Sequence, residues 1–264
     1  MRRHKTPGCH PMFNWPGCTR HTVRFDTLHI VDHHGVASKA LGSFFQEVCC
    51  DHELGRSKDA CLQNINEQMR AFQREHGERN PCPPLVWSNI VNLPENTTFP
   101  ELHGTLIKAA TTKSLVTFAA HLAATLNDGS EYKKRRAKML QHLLNFNNLI
   151  GDAPVFLSDP QKSQLRVCVF GFLANYSWLA RSCALLGIMR WHIVPKFHYF
   201  AHFPAQADIV NLRDTRCYVE ESTVGRFAKV FRNSACGPYH NTVQCVVLMK
   251  YLLGLQIRFG MDLA

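Results

Sequence analysis

Apolar residues along this chain recur at three-and-four spacing much more than at spacing two, which predicts helices over most of its length. After Asp32, His33 and His34 a helix carries Val36, Leu41, Phe44, Phe45 and Val48. Ser57 precedes a second run in which Cys61, Ile65, Met69 and Phe72 share one face, ending near Gly77. The stretch 78–100 holds five prolines and reads as an extended connector anchored by Leu85, Val86, Trp87, Ile90 and Val91. Two further helices, Leu106–Leu126 and Tyr132–Ile150, are divided at Asn127-Asp128-Gly129-Ser130. A break over Gly151–Pro160 precedes a long apolar helix that Ser158 or Asp159 caps, with Pro160 near its first turn. Val224, Phe227, Ala228 and Phe231 mark another amphipathic helix, and Thr242–Phe259 is apolar nearly all round, hence largely buried. Period-two alternation is scarce, so strands should be few. The expected fold is mainly α: a loop-like segment over 1–25, then one mostly helical domain over 26–264.

Composition changes little in this picture, but charge does. The 264 residues are 45% hydrophobic and 19% charged, ordinary for a globular chain. The formal net charge of +10 favours a polyanionic partner, a property shared with membrane-surface and plainly soluble basic proteins. The densest basic run, Lys133-Lys134-Arg135-Arg136 with Lys138 after it, reads as a solvated helix face, a phosphate contact or a nuclear-targeting signal. The apolar stretch Val167–Met189 contains Arg181 and is bounded by Arg166 and Arg190, so it reads as a buried core helix and not as a membrane span. The start has no apolar h-region, so no secretory signal is expected, and the 11 cysteines read as intracellular thiols. Cys9, His10, Cys18 and His21 invite a zinc reading, but their spacing matches no common finger.

Candidate chemistry lies in two separated stretches. Asp26 and His29 form a D-x-x-H element, with Gly35 six residues beyond the histidine. Its plain alternative is an Asp26 that caps a helix beside surface histidines. Far downstream, P-K-F-H-Y-F-A-H-F-P places His198 and His202 four apart, on one face of a helix. C-Y-V-E-E-S-T-V-G-R follows, with Glu220 and Glu221 at a helix N-terminus, where the dipole favours negative charge. H-x-x-x-H without a glutamate after its first histidine lacks the base of a zinc peptidase.

Together these stretches resemble the C-terminal catalytic segment of En/Spm-type (CACTA) DNA transposases, and more closely their divergent transposon-derived relatives in protists. The resemblance implies the helical insertion and C-terminal part of an RNase H-like fold with an incomplete sheet. It also implies a nuclear protein whose family activity is DNA strand cleavage and transfer. On that likeness Glu221 is the last acid of the triad and a metal ligand, Asp26 and His29 are the D-x-x-H element, and His198 and His202 are supporting groups. Lys133, Lys134, Arg135, Arg136, Arg226, Lys229 and Arg232 are the expected DNA contacts, weak and without sequence preference. The family's cofactor is Mg²⁺, which takes oxygen ligands and tolerates phosphate in its shell. Two-metal chemistry needs several converging carboxylates, and the 25 residues before Asp26 contain no Asp or Glu. The chain is therefore expected to bind DNA without cutting it. The alternative is a basic helical scaffold or interaction protein with no catalytic role.

Overall fold

The structure, a computed structural model, describes residues 24–77, 81–91, 98–104 and 107–217. The chain divides into two compact units, Met1–Arg216 and Cys217–Ala264. The expected domain over 26–264 is thus described only as far as Cys217. The helices predicted around Val224 and over Thr242–Phe259, the zinc reading at Cys9–His21, and Glu221, Arg226, Lys229 and Arg232 all lie outside the described residues.

The first unit is a helical assembly, and no strand occurs among the described residues. A single π-helical turn, Leu28–Asp32, leads into α1, Val36–Cys50, which is buried on nearly every side. Helix α2, Lys58–Glu75, starts at Ser57, whose side chain accepts the Ala60 N–H in the usual N-cap manner. Its buried face is Cys61, Ile65 and Met69, as the periodicity predicts. The proline-rich connector is pinned by Asn66, whose side chain exchanges hydrogen bonds with both the N–H and the C=O of Leu85.

Helices α3, Ala109–Thr125, and α4, Glu131–Asp152, are joined by a turn in which Gly129 takes φ +90°. Helix α5, Asp159–Leu185, opens with Gln161 accepting the N–H of Ser158. It lies along α4, and the two pass so close at Gly171 that a β-carbon there would sit 2.5 Å from the His142 ring. Among the described residues no helix is long and apolar enough to cross a membrane.

A seven-residue helix is marginal on its own, so α6, Pro195–Ala201, must be held by packing. It is followed by the short α7, Phe203–Ala207. Phe197, Phe200 and Phe203 enter an aromatic cluster with Phe146, Phe172 and Tyr176. Full burial of each such ring stabilises by roughly 1.5–3 kcal/mol. The alternate residues His198, Tyr199 and His202 are thereby turned to solvent.

The basic run at the start of α4 is only partly a solvated face. Arg136 is 0% exposed, its guanidinium shared by Glu47 of α1 and, in a two-pronged contact at 2.9 and 3.0 Å, by Glu53. Tyr132 donates to Glu47 at 2.6 Å and accepts from the Trp191 indole at 2.9 Å, and Arg190 grips Asp51 with both prongs. Burial raises the Glu47 carboxyl, and Arg136, the Tyr132 hydroxyl and Arg190 offset part of that rise.

Removing one partner of a buried pair strands the other charge, which costs about 3–5 kcal/mol. Arg136→Ala should therefore lower the unfolding free energy in urea by that amount, with Arg135→Ala producing a much smaller shift. Equal effects of the two substitutions would contradict this placement.

Candidate functional site

Asp26 closes the π-helical turn with one carboxylate oxygen and holds a histidine with the other. Its Oδ1 accepts the Leu28 N–H at 3.0 Å, and its Oδ2 pairs with His29 Nδ1. One side chain thus both accepts a backbone N–H at the start of the turn and pairs with His29. Gly35 is needed where the turn folds back: a β-carbon there would lie 2.3 Å from the Ile30 carbonyl oxygen and 2.5 Å from that of Val31.

The α6–α7 region docks onto this turn. Gln206 accepts the Phe25 N–H at 2.8 Å and donates to the Phe25 carbonyl at 3.0 Å, clamping the chain just before Asp26. Thr27 donates its hydroxyl to the Leu212 carbonyl. The Phe25 ring stacks on Tyr199 and His202, with centroids 5.2 and 5.9 Å away. Lys196 donates to the carbonyls of His33 at 3.1 Å and His34 at 2.9 Å. The D-x-x-H stretch and the K-x-H-x-x-x-H stretch, about 170 residues apart, therefore form one surface.

That surface is rich in imidazole. His29, His33 and His34 form a row with centroid spacings of 5.3 and 4.7 Å, and His198 and His202 pair with Nε2 atoms 3.1 Å apart. Two groups missed by sequence reasoning complete it. Glu101 binds His34 at 2.9 Å and Lys39, and its backbone lies against Gly42, with the next residue's N–H donating to the Ser38 carbonyl. His192 stacks on Phe99 at 4.3 Å. Lys196 stood within the quoted motif, but nothing local marks Glu101, which arrives from the end of the proline-rich connector.

The charges on this surface perturb one another. Burial lowers the Lys196 ammonium and Lys39 adds to the fall, while Glu101 and Asp26 pull the other way. Burial and Lys39 likewise depress His192. Asp32 faces inward, its carboxylate beside Arg216 at 3.9 Å, and Lys113 is lowered by burial and by Arg216. Asp32 therefore does not share the solvent-facing surface of Asp26 and His29.

Of the expected DNA contacts at the start of α4, Arg136 is buried and unavailable to a phosphate. Lys133 pairs with Glu53 and Asp128, and Arg135 pairs with Glu131 while lying over Trp178. Lys134 and Lys138 remain exposed on one face. Glu221, Arg226, Lys229 and Arg232 cannot be set into this geometry because they lie outside the described residues.

Carboxylates for Mg²⁺ converge at Glu47, Asp51 and Glu53, whose oxygens lie within 4.8 Å of one another. Guanidinium groups of Arg136 and Arg190 already hold all three. A cation that demands octahedral oxygen ligands and keeps its waters does not fit there. No family model matches this chain, and neither does any curated protein or solved structure.

A pH test follows from Glu101. Burial alone would raise its carboxyl, but hydrogen bonds and charge from Lys39 and His34 outweigh burial and hold it below its ordinary 4.5. The folded protein thus binds fewer protons at this site than the unfolded chain. Its stability contribution is present above pH 4.5 and is lost as pH falls through the depressed value. Glu101→Gln should unfold at lower urea than the parent at pH 6, and the gap should close towards pH 3. A gap that stays constant would contradict the assignment.

Proposed function

We propose that the chain is a transposase-derived protein that binds the DNA backbone weakly, without sequence preference, and does not cut it. The observation that carries this reading is the meeting of its two family-like stretches on one surface, through Lys196, Phe25 and Gln206. The net charge of +10 supports a polyanionic partner, and Lys134 and Lys138 offer it exposed cations. Cleavage is denied because two-metal chemistry needs several converging carboxylates, and among the described residues Asp26 is committed to Leu28 and His29 while Glu101 is held by His34 and Lys39. Glu221 enters this reading only by resemblance, and no step is derived through Mg²⁺.

A basic helical scaffold is the rival reading. It is favoured by one observation: the densest basic run spends Lys133, Arg135 and Arg136 on pairs within the protein.

Fluorescence anisotropy with a short labelled duplex separates the two. Under the DNA reading, log K falls with log salt by about 0.9 per neutralised phosphate, and the double substitution Lys134→Glu, Lys138→Glu flattens that slope by about two phosphates' worth. Absent or salt-independent binding would favour the scaffold. In the same preparation, supercoiled plasmid with Mg²⁺ or Mn²⁺ should stay intact. Nicking that disappears in Asp26→Asn or Glu221→Gln would overturn the inactive assignment.

A further inference from the structure

We propose that His198 and His202 form a bidentate site for a divalent transition-metal cation of the Ni²⁺, Cu²⁺ and Zn²⁺ class. The two imidazoles stand one turn apart, both exposed, and their Nε2 atoms lie 3.1 Å apart. With metal–nitrogen bonds of about 2.0–2.1 Å, that separation gives a bite angle of about 100°, between tetragonal and tetrahedral values.

The rings are held in place. Phe197, Phe200 and Phe203 anchor the opposite face of this region in the core, and Phe25 stacks on His202 at 5.9 Å. Without metal, one Nε2–H donates to the other Nε2. On binding, that proton moves through solvent to Nδ1 of its own ring, and both Nε2 lone pairs face the cation. Two protein nitrogens leave the remaining positions to water or an exogenous ligand, and imidazole selects this borderline class over Mg²⁺ or Ca²⁺. The site stands whether or not the chain binds DNA.

The test is calorimetric titration of the full chain with NiCl₂ at neutral pH. One equivalent should bind, with affinity reduced at least tenfold in His198→Asn and in His202→Asn, and unchanged in His76→Asn. His198→Asn removes neither ring that Phe25 stacks on, and circular dichroism checks that each variant is folded. Mapped acylation by diethyl pyrocarbonate should show His198 and His202 protected when Ni²⁺ is present. Absence of a one-equivalent event, retention of affinity in both variants, equal loss in His76→Asn, or unprotected His198 and His202 would each overturn the proposal.

Discussion

A guanidinium with no access to water sets the geometry of this unit. Arg136 sits at 0% exposure between Glu47 and Glu53, so its desolvation must be offset by hydrogen bonds with little tolerance in direction. Apolar contacts alone would let α4 slide against α1 at small cost; a two-pronged contact to Glu53 with a second carboxylate on the same group does not. The constraint is passed onward through Tyr132, which is bound to Glu47 and holds the Trp191 indole. Trp191 takes φ +59° and donates its N–H to Ser43, which fixes where the chain leaves α5 and where Pro195 begins α6. The imidazole surface therefore depends on a buried ion cluster on the other side of Trp191.

Helix α6 serves that surface by division of labour. Its phenylalanines supply the burial that a seven-residue helix cannot obtain from its own hydrogen bonds. Its polar face then carries His198, Tyr199 and His202 at fixed heights, and Lys196 binds two carbonyls at the end of the π-helical turn, satisfying groups a helix end leaves open. The D-x-x-H turn is thereby tied at both ends, by Gln206 before it and Lys196 after it.

Much of the fold was legible because helical periodicity is local. The starts after Ser57 and Ser158, the break at 127–130 and the buried Cys61, Ile65 and Met69 of α2 follow from local pattern alone, while the break expected over Gly151–Pro160 narrows to 153–158. Within the basic run Arg136 was misread, for an instructive reason. Judged as a cluster of charges it looked solvated, yet Arg136 lies on the stripe of Met139, Leu140, Leu143 and Ile150, the buried face of its own helix. Period should have outranked composition there. Glu47 lies in a helix buried nearly all round, where no polar face exists to receive it. Both site stretches could be read as motifs, but their meeting was expected only from the family resemblance, since contacts across some 170 residues leave no local trace. Glu101 is the extreme case: its position is set by backbone docking at Ser38 and Gly42, which no side-chain pattern encodes.

Charge bookkeeping has to follow the same geometry. Every close pair, such as Arg136 with Glu47 in the interior or Arg190 with the half-exposed Asp51, removes one charge of each sign from the field outside. Such pairing leaves the excess of ten positive charges intact but changes which side chains express it. A pair closer than 4 Å acts as a dipole at a distance, and its field dies away faster than that of a lone charge. The external potential therefore comes from cations that no acid holds at close range, not from the densest run in the sequence. Lys134 and Lys138, exposed on one face of α4, carry more of it than Arg136, although all three stand within four positions of one another. A polyanion approaching this protein responds to that residual pattern, which only the fold reveals.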